Sequence, residues 1–81
     1  MIGRRIYDTD IFEAGDYGRH PEDNNWYACT PNGHLANLVK HSVTEHEDKT
    51  ITVHPSILVT MKVNKQDKRL YHGHLVRGIW K

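Results

Sequence analysis

The chain has 81 residues, a formal charge of +1 and a single cysteine. That length fits one domain with a marginal core and leaves no room for a second, and one cysteine allows no internal disulfide. No apolar run reaches the length of a membrane span or of a signal-peptide centre, so a cytoplasmic protein without a membrane partner is expected.

Eighteen residues are Leu, Ile, Val or Phe, which places the chain just above the compositional range of disorder and predicts a folded domain with generous loops. Residues 1–25 read as a loop-rich segment carrying Gly15, Gly18 and Pro21. One short helix is predicted from Asp10, capped by that residue and stopped at Gly15.

Residues 26–80 read as the β core. "NWYACT" has the aromatic and small residues of a strand, "TPNGH" is turn chemistry, and "HLANLVK" resumes an extended pattern. Ser42-Val43-Thr44 and Thr50-Ile51-Thr52-Val53 form the arms of a hairpin with Glu47-Asp48-Lys49 at its tip. Pro55 cannot donate to a ladder, so a new strand is predicted to start at Ser56. In "SILVTMKV" the residues Ile57, Val59, Met61 and Val63 share one face, which is predicted to be the core face, and Ser56, Leu58, Thr60 and Lys62 share the other. After a turn at "NKQD", "RLYHGHLV" runs back and Gly78-Ile79-Trp80 closes the chain. The fold class that follows is mainly β, a small single-domain antiparallel sheet with a long N-terminal loop and little helix. Trp26, Tyr27, Tyr71 and Trp80 are expected to pack in the core.

Charge is distributed unevenly. Residues 8–23 hold six of the ten acids, whereas residues 62–81 carry six Lys or Arg against one Asp, so the two ends could lie against each other. A nucleic-acid groove calls for a stronger basic excess interleaved with aromatic residues, and nucleic acid is therefore an unlikely partner.

Seven histidines are many for this length. Cys29, His34, His72 and His74 could be read as a tetrahedral zinc set, although the paired Cys-x-x-Cys or His-x3-His clusters of small structural sites are missing. His20, His41 and His46 are expected to be solvent-facing loop residues, and Cys29 a small buried one.

"WYACTPNGH", "TITVHPSILVT" and "YHGHLVRG" together resemble the small phage and bacterial family known as domain of unknown function 6527. That family's pattern is an aromatic pair and Cys-Pro turn, a Pro-Ser-Ile strand, and a Cys-His strand followed by an apolar pair and Gly. On it fall Trp26 and Cys29, then Pro55, Ser56 and Ile57, then His72 and Gly78, while Tyr71 stands where the family has Cys. Some bacterial members are similar to serine peptidases of ubiquitin-like pathways. The resemblance implies Ser56 as nucleophile and His72 as base, a protein or ubiquitin-like tail as substrate, and a host cytoplasm for a phage-encoded chain; apart from the zinc reading, no cofactor is expected.

Register decides whether that pairing is geometrically open, because directly opposed residues of an antiparallel pair share a face. A three-residue turn from Asn64 to Gln66 places Ser56 opposite His74 and Leu58 opposite His72, so that both histidines are candidate bases. A four-residue turn sends the histidines to the face of Ile57 and Val59 unless a bulge restores the phase. Two readings remain: a small serine-type peptidase using Ser56 with His72 or His74, and a non-enzymatic accessory protein that binds a host protein, for example to counter host defence.

Overall fold

The computed structural model describes residues 1–81. Eight strands follow in chain order: β1 (Arg4–Arg5), β2 (Asp16–Arg19), β3 (Trp26–Cys29), β4 (Leu35–Asn37), β5 (Ser42–Glu45), β6 (Ile51–Val63), β7 (Gln66–Val76) and β8 (Ile79–Trp80). They form two four-stranded sheets, β1-β2-β3-β4 and β5-β6-β7-β8. Every pairing is antiparallel except β1 with β2. The protein is thus mainly β, and no helix is long and apolar enough to cross a membrane.

The helix predicted from Asp10 does not form. The Asp10 N–H donates to the Asp8 carboxylate, the Glu13 N–H to the Asp16 carboxylate, and the Asp16 N–H to the Glu13 carbonyl. Local side-chain acceptors have taken N–H groups that a helix would need. Nor is the segment only loop, since β1 and β2 lie within it and Tyr17 is 1% exposed at the centre of the core.

That core draws on both sheets. Tyr17 and Ala28 come from the first, Leu38 from the link after β4, and Ile51, Val53, Ile57, Leu75 and Trp80 from the second. Trp80 is satisfied as well as buried, its Nε1–H donating to the Gly15 carbonyl at 3.0 Å. Trp26 and Tyr71 pack against the cluster, whereas half-buried Tyr27 directs its hydroxyl to Asp23. The β7–β8 turn is made by Arg77 and Gly78, both at positive φ. A Cβ on Gly78 would stand 2.6 Å from the Tyr17 hydroxyl, so that close approach of turn to core requires glycine.

The chain ends meet through backbone, not through charge. Ile2 bridges to Ile79, Gly3 N–H donates to the Gly78 carbonyl, and Trp80 N–H donates to the Met1 carbonyl. None of the basic residues from Lys62 to Lys81 enters a salt bridge. The cross-sheet ion pair is instead Arg5 of β1 with Glu45 of β5, at 2.6 Å, with a second bond from Arg5 to the Lys49 carbonyl. The Arg5 guanidinium also lies over the Trp26 and Tyr7 rings, 4.7 and 4.8 Å from their centroids.

β6 and β7 outrun the body of the molecule. Residues 60–69 are all exposed, and the long axis reaches 43 Å against 27 and 21 Å for the others. Ile57 and Val59 do sit on the core side, but Met61 and Val63 of the same face are 47% and 43% exposed, because nothing packs beneath the projecting ribbon. No new strand starts at Ser56 either. β6 continues through a cis His54–Pro55 bond with a shift of register.

The Arg5 guanidinium, by its hydrogen bond, holds the Glu45 carboxyl below its ordinary range, and bonds from Thr50 and Tyr27 do the same for Asp48 and Asp23. Groups so depressed contribute stability that is full above their unfolded values of 4.5 and 3.8 and is lost as pH falls through the folded ones. Glu45→Gln should therefore melt at lower temperature than the parent at pH 7, with the gap closing as pH falls below 4.5 and the parent's own carboxyl protonates. Melting curves from pH 7 to 2.5 check this, and a gap that stays constant throughout would show that Glu45 acts through something other than its charge.

Candidate functional site

The turn between β6 and β7 is shorter than either turn considered from sequence. Asn64 and Lys65 alone form it, both at positive φ (52° and 65°), with Val63 opposite Gln66. Two residues with that geometry make a turn whose twist matches the strands. Such a turn gives an odd sum of paired residue numbers, which by itself would put the histidines of β7 on the core face.

The phase is then reversed by one residue. Thr60 pairs with Arg69 and Val59 with Tyr71, leaving Leu70 unpaired as a β-bulge. Beyond it Leu58 lies opposite His72 and Ile57 opposite Gly73, which is the register the three-residue turn would have produced. A second irregularity lies between Val53 and Ile57, where His54, Pro55 and Ser56 occupy a stretch matched on β7 by His74 alone.

The Leu70 bulge is held from the other sheet. The Asn32 amide donates to the Leu70 carbonyl at 2.8 Å, and Asn32 Oδ1 accepts the Thr30 hydroxyl at 2.6 Å. Thr30 Oγ in turn accepts the His34 N–H at 2.9 Å. The turn that reads as "TPNGH" thus clamps the outer edge of β7 where its ladder is interrupted.

On the face away from the core, Ser56 Oγ and His72 Nε2 stand 2.9 Å apart, within the range required for proton transfer from a nucleophilic hydroxyl to its base. Ser56 is half-buried and His72 exposed. His74, the other candidate base, is exposed, and its N–H and carbonyl are used to pair with Lys81. No carboxylate bonds to the His72 ring, and its one side-chain partner is Ser56. Beside it lies an open hollow of about 390 Å³ lined by Arg69, Leu70, Tyr71 and His72.

His41, expected from sequence to face solvent, is half-buried, and its Nε2 lies 3.3 Å from the Ser56 carbonyl. A carbonyl can only accept, so Nε2 carries the proton and the buried Nδ1 is left without a partner. His46 and His20 are also half-buried, the first bonded to the Thr52 hydroxyl and the second accepting the Glu22 N–H.

Cys29, His34, His72 and His74 do not come together. Cys29 is 4% exposed on β3 and His34 stands in the turn after it, whereas His72 and His74 project from β7 in the other sheet. No group of three His, Cys, Asp or Glu side chains converges in a way that could hold a metal ion, so the zinc reading of these four is set aside. Asn32 and His41, which do shape the site, carry no sequence signal beyond turn chemistry in the first case and none in the second.

Comparison with protein-family models, with curated proteins and with solved structures finds no match to this chain.

Burial pushes the Cys29 thiol pKa up, which disfavours the thiolate that reacts with alkylating agents. Iodoacetamide should modify Cys29 at least about tenfold more slowly in the native protein than in denaturant. Equal rates by mass spectrometry would show that β3 opens freely.

Proposed function

We propose that Ser56 and His72 form the nucleophile and base of a serine-type hydrolase acting on a peptide or protein tail. The observation that carries this reading is the 2.9 Å contact between the Ser56 hydroxyl and His72 Nε2 on an accessible face. His72 takes the hydroxyl proton as Oγ attacks the scissile carbonyl, and returns it to the leaving amine as the C–N bond breaks. Water then cleaves the ester by the same proton route. Arg69 lines the hollow beside His72 and gives the face on which a substrate would lie a positive charge. The resemblance of the Pro55-Ser56-Ile57 and His72 strands to a family with peptidase-like members supports the same assignment.

The openness of the site favours a second reading. His72 lacks an orienting carboxylate and the hollow beside it is not enclosed, so the same face could serve a non-enzymatic protein that binds a host partner.

Fluorophosphonate labelling separates the two. The wild-type protein should form an adduct on Ser56, Ser56→Ala should abolish it, and His72→Gln should slow it by roughly 10²-fold or more. An absent adduct, or one that persists in Ser56→Ala, removes the hydrolase reading.

A further inference from the structure

The ribbon has two long edges, and they are not equivalent. The β7 edge is closed at Leu70 by Asn32 and from His74 onward by Lys81 and β8. The β6 edge is covered by β5 only as far as His54, and then by the His41 ring at the Ser56 carbonyl. From Leu58 to Val63 no strand lies beside it.

Which main-chain groups face that open side follows from the alternation of an antiparallel ladder. The Ser56 carbonyl points outward, because His41 meets it from the β5 side. Leu58, Thr60 and Lys62 then present their N–H and C=O groups outward as well, while Ile57, Val59, Met61 and Val63 address β7. The Val63–Gln66 pair that closes the two-residue turn agrees with this parity. The bulge lies on β7 and does not disturb it.

The two faces flanking this edge differ. On the Ser56 side are Leu58, Thr60 and Lys62, with Arg69 across from Thr60; on the other are Val59, Met61 and Val63. Residues 60–69 carry Lys62, Lys65, Lys68 and Arg69 against Asp67 alone, and none of the four cations is paired. Unpaired polar edges invite another strand, and the cations select against a second copy of the same ribbon.

From this we infer that the β6 edge from Leu58 to Lys62 binds an extended peptide by strand addition, and that the peptide alternates acidic and apolar residues. Its acids lie on the Lys62 and Arg69 face, and its apolar side chains cover Met61 and Val63. Laid antiparallel, in line with β5, the peptide runs its carboxyl-terminal end toward His41 and Ser56. This names a substrate class for the site proposed above and rests on that reading for cleavage, but not for binding.

The test uses Ser56→Ala protein, so that no turnover intervenes, and fluorescence anisotropy with a labelled peptide of alternating Val and Glu. Binding should weaken at least tenfold on adding Thr60→Pro, which removes one outward N–H without touching the β6–β7 ladder. Lys62→Glu, a side-chain change on an exposed position, should weaken it at least fivefold, and a Val–Lys peptide should not bind. The inference is overturned by undetectable binding of the Val–Glu peptide at low salt, by unchanged affinity in both variants, or by tighter binding of a single- or double-stranded DNA oligonucleotide. Binding that behaves as expected in a protein whose serine never labels would sink the hydrolase and leave the peptide site standing.

Discussion

The site depends on one residue left out of the strand ladder. A two-residue turn alone would aim His72 at the face of Ile57, and a hydroxyl and an imidazole on opposite faces of a strand pair cannot exchange a proton. Leu70, bulged out of β7, adds the single residue that turns every later side chain over. The carbonyl of the bulged residue is bonded by Asn32 from the first sheet. The register that brings Ser56 to His72 is thus held where the two sheets dock as well as within the hairpin.

The remaining architecture serves that docking. A core of eight buried residues spanning both sheets is small, and its periphery is tied by groups that each do two things. Arg5 bonds Glu45 while stacking on Trp26 and Tyr7. Trp80 fills the core while its indole N–H satisfies the Gly15 carbonyl. With the body fixed in this way, the outer part of β6 and β7 is free to extend into solvent, and it carries the unpaired positive charge with it. The charge asymmetry of the sequence therefore ends not as an internal contact between the two ends but as a basic arm beside the Ser56–His72 face.

Much of the β architecture was legible, because alternation and turn chemistry are local signals. The β5–β6 hairpin, the strand at Trp26, the return strand through His72 and the closing Ile79-Trp80 piece all lie where the pattern puts them. The bulge was not legible. Gln66 to Arg69 are polar at every position, so no alternation reports which way they face, and a change of phase just after such a stretch leaves no trace. The same locality misplaced Met61 and Val63, which continue an apolar alternation beyond the point where the core ends. β2 was missed because its residues, Asp16, Tyr17, Gly18 and Arg19, lack β-branched side chains, and the burial of Tyr17 is a tertiary fact. Of the candidate residues, Ser56 and His72 are brought together, and His74 and the proposed zinc set are not.

The central claim is that the Leu70 bulge sets the phase that joins Ser56 to His72. Nuclear Overhauser measurements between the Ser56 β protons and the His72 ring, in the parent chain and in a variant lacking Leu70, test it most directly. The account requires a cross-peak in the parent that disappears on deletion, while contacts between Val63 and Gln66 at the ribbon tip persist. A parent protein without that cross-peak, or a deletion variant that keeps it, would contradict the account.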